Sequence, residues 1–172
     1  MDRTKASGVP LRLLILRHAK SSWADGFADD WERPLTDRGR RDARRVGELL
    51  RRQSLVPDVV ITSDAVRAHT TAQIVTDAAG YSGRIVLSSS LYHAKPAAVI
   101  EVLAAVQDPV ARAIMIVAHN PGLEDLVTQL TGEHVELPTA ALVNLELPIR
   151  KWSELHLSAG ARMIDLWRPA DL

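Results

Sequence analysis

The residues best suited to chemistry are cationic and fall in three short stretches. "LILRHA" places Arg17 and His18 at the end of an apolar run, "TSDAVR" carries Ser63, Asp64 and Arg67 past a second, and "VAHNPG" sets His119, Asn120, Pro121 and Gly122 past a third. Arginine presents a planar fork of N–H donors that stays charged and matches phosphoryl oxygens. A neutral imidazole is a competent nucleophile toward phosphorus when a carbonyl or polar side chain holds its second nitrogen. Two arginines with two histidines therefore suit phosphoryl capture and transfer. His18 is the candidate nucleophile, and His119 the group that stabilises the phosphoryl oxygens. Taken singly, each residue has a plainer reading: Arg17 could close a strand, Arg67 could pair with Asp64 three residues back, and His119 could be an ordinary strand-end histidine.

The elements that must position these residues decide between the two readings. Short, nearly continuous apolar runs at Leu11–Leu16, Asp58–Ser63, Arg84–Ser88 and Ala113–Ala118 read as buried parallel strands. Helix-length amphipathic segments follow at Thr36–Gln53, Asp64–Ala79, Pro96–Gln107 and Pro121–Leu130, with Thr36 and Asn120 as expected N-caps. Two more strands are predicted at Ala141–Leu147 and Ala161–Trp167 with no clear helix between them, which makes an antiparallel edge. The predicted fold is an α/β class, three-layer α/β/α sandwich with a mostly parallel sheet of about six strands and at least one antiparallel edge strand. In such sheets the ligand crevice lies outside the carboxyl ends of the strands. Arg17, His18, Arg67 and His119 all follow strand ends, so they converge on one edge and the active-site reading prevails.

Composition narrows the function classes. The chain has 172 residues, 47% of them hydrophobic, which suits one domain spanning residues 11–172 after a polar lead-in at 1–10. Acidic and basic residues balance at 21 each, so no overall field draws in nucleic acid or an acidic membrane surface, and any anion site must be local. The arginines at 38, 40, 41, 44 and 45 interleave with Asp37, Asp42 and Glu48 and read as a solvated helix face rather than an RNA-binding run. There are no cysteines, hence no thiolate nucleophile and no disulfide. No apolar run reaches the roughly 20 residues of a membrane span. A cytoplasmic monomer is the expectation.

"RHA" after the first strand, "TSDAVRAHTTA" after the second and "VAHNPGLEDLV" after the fourth resemble the histidine phosphatase superfamily, with its phosphoglycerate-mutase-like fold. "RHAKSSW", "ERPLTDRGRRDA" and "HNPG" most resemble its small SixA-type phosphohistidine phosphatases. The resemblance implies that His18 is transiently phosphorylated, that Arg17, Arg67 and His119 complete the phosphate pocket, and that no metal or other cofactor is needed. The implied substrate is a phosphohistidine-bearing protein, with a small phosphorylated molecule as the alternative and a non-catalytic phosphate-recognising module as the alternative of a different class.

Three departures from the wider pattern matter. Ala19 stands where a glycine is common, a small-for-small change that is tolerated if no positive φ is needed there. Lys20 and Ala24 replace the glutamate and asparagine of mutase-like members. In "LYHA", Leu91 to Ala94, no glutamate general acid follows the third strand, and His93 occupies its neighbourhood, with Asp25 as a second candidate acid. The connection from Lys20 to Leu35 is long enough to be functional and is expected to border the site. Ser21, Trp23, His93 and Asn120 are the expected substrate contacts.

Overall fold

The computed structural model describes residues 9–23, 26 and 29–172. The predicted tail therefore lies largely outside the described residues, as do Ala24, Asp25 and Phe27 of the long connection. Six strands form one sheet: β1 (Leu11–Arg17), β2 (Val59–Ser63), β3 (Ile85–Ser88), β4 (Ala113–Ala118), β5 (Leu142–Leu147) and β6 (Arg162–Trp167). Their order is β3-β2-β4-β1-β5-β6. β1, β2, β3 and β4 pair in parallel, whereas β5 runs antiparallel to β1 and to the edge strand β6. The expected sandwich is thus present, with the antiparallel element lying between β1 and the edge.

Helices α1 (Asp37–Arg52), α2 (Val66–Ala79), α3 (Pro96–Ala104) and α4 (Gly122–Thr131) cover the two faces. The alternation of strand side chains explains the layering. Leu14 and Leu16 of β1 pack with Val46 and Leu50 of α1 and Ala68, Ala72 and Val75 of α2. Leu13 and Ile15 point the other way, into a cluster with Val99 and Leu103 of α3 and Leu123, Leu126 and Leu130 of α4. A strand buried on both faces has to be largely apolar, which is why β1 reads as a nearly continuous apolar run broken by the half-buried Arg12.

Thr36 caps α1 as predicted, its hydroxyl accepting from Gly39 N at 3.0 Å. Gly39 has to be glycine because a Cβ there would stand 2.1 Å from the carbonyl oxygen of Lys20. The first turn of α1 is thereby pressed against the start of the long connection. Asp42 pairs with Arg38 and Arg45 on the same helix, so one carboxylate serves two of the arginines. Asn120 does not cap α4. That helix begins one residue later than predicted, behind Pro121, and the Asn120 side chain is used elsewhere.

α1 and α2 follow β1 and β2 on one face, and α3 and α4 connect β3 to β4 and β4 to β5 on the other. The chain therefore leaves the neighbouring strands β1 and β4 in opposite directions, and a crevice opens where it divides.

Candidate active site

The carboxyl ends of β1, β2 and β4 deliver their residues to a single pocket of about 210 Å³. Arg17, His18, Arg67 and His119 all line it, together with Ser21, Trp23, His93 and Asn120. All eight site residues expected from the sequence are thus gathered at one place.

His18 is buried, and its ring is oriented by its own neighbour. Nδ1 donates to the carbonyl of Ala19 at 2.8 Å. A carbonyl only accepts, so Nδ1 carries the proton and Nε2 keeps its lone pair. The Ala19 N–H in turn donates to Thr71 Oγ1 at 3.0 Å, and the Thr71 hydroxyl donates to the Arg67 carbonyl at 2.6 Å. The nucleophile candidate and α2 are thereby tied together. Ala19 is not among the described residues with positive φ, so no glycine is required there. Burial, reinforced by the nearby charges of Arg67, Arg17 and Arg33, lowers the His18 pKa to about 4. The imidazole is consequently neutral near pH 7, as a nucleophile must be.

His119 lies beside it, ring centroids 5.1 Å apart, with Nε2 hydrogen-bonded to Ser63 Oγ at 2.8 Å. Ser63 ends β2 and also accepts from the Ala65 N–H, so β2 orients a side chain delivered by β4. Burial and then the proximity of His18 and Arg67 push the His119 pKa down to about 3. Its Nδ1 is buried with no hydrogen-bond partner among the described residues.

Arg17 is anchored by one Nη1 hydrogen bond to the Leu137 carbonyl at 2.7 Å. Asn120 Nδ2 donates to that same carbonyl and to Glu124 Oε1, which also accepts the Leu137 N–H. Asn120 therefore braces the segment that holds Arg17. Arg67 does not pair with Asp64 as the helical alternative required. Asp64 instead accepts from Trp31 Nε1, and both terminal nitrogens of Arg67 donate to Asp30. Each of those nitrogens bears two N–H groups and keeps one for a ligand.

The long connection does border the site. Ser21 and Leu35 form an antiparallel bridge, and Ser22 N–H donates to the Pro34 carbonyl, closing the base of the loop. Trp23 is 74% exposed and lies under the Arg33 guanidinium, 3.4 Å from the ring centroid. The Ser21 hydroxyl accepts from Arg33. His93 adopts a φ of 47°, which sets its ring 5.2 Å from that of His119 at the pocket wall.

Sequence reasoning missed Asp30, Arg33, Lys20 and Thr139 as pocket residues. Arg33 carried a usable signal, because it is the cation that closes an otherwise acidic loop beside the site. Asp30 carried none that distinguishes it from Asp29 or Glu32. Asp25, the second candidate acid, lies outside the described residues.

Similarity to known proteins agrees with this geometry. The model of the histidine phosphatase superfamily (branch 1) matches residues 13–91. An uncharacterised protein, MT1313, of Mycobacterium tuberculosis is 42% identical over 119 residues, covering 68% of this chain and 70% of its own. The crystal structure of SixA from Agrobacterium tumefaciens superposes with a TM-score of 0.79 at 27% identity over 94% of this chain and all of that one. The protein histidine phosphatase SixA complexed with tungstate has the same TM-score at 23% identity, over 93% and 98% of the two chains, a likeness of fold. With both histidines and both arginines of its motifs gathered on this fold, the chain belongs to the histidine phosphatase superfamily, in its SixA type.

Proposed function

We propose that the protein is a phosphohistidine phosphatase acting through a covalent intermediate on His18. One observation carries the reading: a buried neutral imidazole, fixed at Nδ1 by the Ala19 carbonyl, turns a bare Nε2 into a pocket lined by arginines. Nε2 attacks phosphorus, the bond to the leaving group breaks with its electron pair going to that group, and water then cleaves the new P–N bond. Arg17 and Arg67 neutralise charge on the phosphoryl oxygens while the neutral His119 ring offers an N–H hydrogen bond, which is the task a preorganised site performs best. The proposed route uses only these side chains and water.

The leaving group selects the substrate. An alkoxide, whose conjugate acid has a pKa near water's value of about 15.7, leaves badly without a proton donor. A phosphohistidine ring already protonated on its distal nitrogen leaves as neutral imidazole, whose conjugate acid is near about 6.5, without a donor from the enzyme. The turn directly after β3, residues 89–95, holds no glutamate, a feature that favours phosphohistidine and activated aryl phosphates over serine or sugar phosphates. The exposed Trp23 at the rim suits a protein partner. His93, half-exposed at the wall, favours the second reading, a small-molecule phosphomonoesterase with His93 as proton donor.

The test is turnover of phosphohistidine, a series of substituted phenyl phosphates and a sugar phosphate at matched concentration. The expected result is a steep dependence of rate on leaving-group pKa, with the sugar phosphate slowest. A flat phenyl series with an equally fast sugar phosphate would overturn the phosphohistidine reading in favour of the second.

A further inference from the structure

We propose that Asp30 sets the preference of this site for phosphoryl groups carried on nitrogen, by accepting a hydrogen bond from the N–H that such a leaving group retains. The inference rests on the phosphatase reading above and adds a specificity residue to it.

Three separate segments converge on this one carboxylate. Oδ2 accepts from Arg67 Nη2 at 2.8 Å and from the Tyr92 hydroxyl at 2.8 Å, and lies 3.2 Å from His93 Nε2. Oδ1 accepts from Arg33 Nη1 at 2.9 Å, while the Asp30 carbonyl accepts from Arg67 Nη1 at 2.6 Å. Among the described residues lining the pocket it is the sole carboxylate. Oδ2 is saturated, but Oδ1 has taken one donor where a carboxylate oxygen has sites for two. The side chain is 37% exposed, so the remaining site is open to a ligand.

Burial alone would raise the Asp30 pKa, but hydrogen bonds from Tyr92 and Arg67 outweigh it and hold the carboxyl well below the usual carboxylate range. A group that stays ionised cannot replace the missing glutamate as a proton donor. It can act as a fixed acceptor. His93 lies next to His119, and His119 next to His18, with the rings mutually tilted, so Asp30 borders the nucleophile's pocket beyond His93. On this proposal the departing ring lies at this wall of the pocket.

The step balances without a proton transfer. A phosphohistidine ring protonated on its distal nitrogen loses the phosphoryl group to His18 Nε2. The P–N electron pair stays on the departing nitrogen, and the distal nitrogen keeps its proton, so neutral imidazole leaves. Asp30 stabilises the protonated ring throughout. An ester leaving group offers only oxygen lone pairs to the same carboxylate, and a second anionic group on the substrate is repelled by it.

The experiment compares kcat/KM for phosphohistidine and for p-nitrophenyl phosphate in the wild type, Asp30→Asn and Asp30→Glu. Charge-assisted hydrogen bonds are strong enough that the phosphohistidine-to-aryl ratio should fall by about tenfold or more in D30N. D30E should recover most of it. Equal losses on both substrates, or an unchanged ratio, would mean that Asp30 only holds Arg67 in place and would overturn the proposal. Asp30→Ser, small and uncharged, carries the same comparison if D30N does not fold. A wild type that hydrolyses the aryl ester but not phosphohistidine overturns the functional reading itself, and the Asp30 role with it, before any variant is made.

Discussion

At the scale of single residues, the site works by denying a proton to His18. Burial and three arginines together make the imidazolium unfavourable, so the free base persists far below the ordinary histidine range, to a pKa of about 4. The kcat/KM profile reports ionisations of the free enzyme. The acid limb contributed by the enzyme should accordingly fall near pH 4, and not near 6.5. Profiles for two substrates whose phosphoryl groups titrate at different pH would check this, because only the enzyme's limb is common to both. A shared limb near 6.5 would show His18 to be as solvated as a surface histidine. Replacing His18 by alanine should abolish the phosphoenzyme, an acid-labile and base-stable label, while leaving the fold intact.

At the scale of elements, the pocket depends on close approaches between backbone segments that side chains would prevent. Gly122 opens α4, and a Cβ there would stand 1.9 Å from the Ala94 carbonyl oxygen. Either α4, with His119 three residues before it, or the turn bearing His93 has to shift if that atom is added. Overpacking of this kind costs about 1–3 kcal/mol. Gly122→Ala should therefore lower both the urea midpoint and the turnover rate, and a variant with wild-type values in both would show that the contact is slack. The six strands and four helices were legible because β1, β2 and β4 are nearly continuously apolar while α1 shows charges at helical spacing. Strand ends then located Arg17, His18, Arg67 and His119. Asp30 was not legible, since its role depends on Arg67, Tyr92 and His93, which are distant in sequence. The Asn120 cap failed for a related reason: its amide meets Glu124 and the Leu137 carbonyl, partners supplied by tertiary structure.

At the scale of the whole molecule, gathering neutral histidines in a buried pocket has a consequence for stability. His18 and His119 have folded pKa values of about 4 and about 3, whereas an unfolded histidine titrates near about 6.5. Above pH 6.5 both rings are neutral folded or unfolded, and pH has no leverage through them. As pH falls below 6.5 the unfolded chain takes up protons that the folded protein refuses, so stability drops by up to about 1.4 kcal/mol per pH unit for each such ring. The loss continues until pH approaches the folded values. Asp30 acts in a separate window: its depressed folded pKa contributes stability above the ordinary carboxylate range that is lost only at lower pH. Urea midpoints measured from pH 7.5 to 4.5 should decline for the wild type. The double variant His18→Gln, His119→Gln, which removes both titrations while keeping polar side chains, should decline less steeply over the same interval. Parallel curves for the two proteins would mean that the rings are protonated in the folded state, and the neutral nucleophile on which the catalytic reading depends would be lost with them.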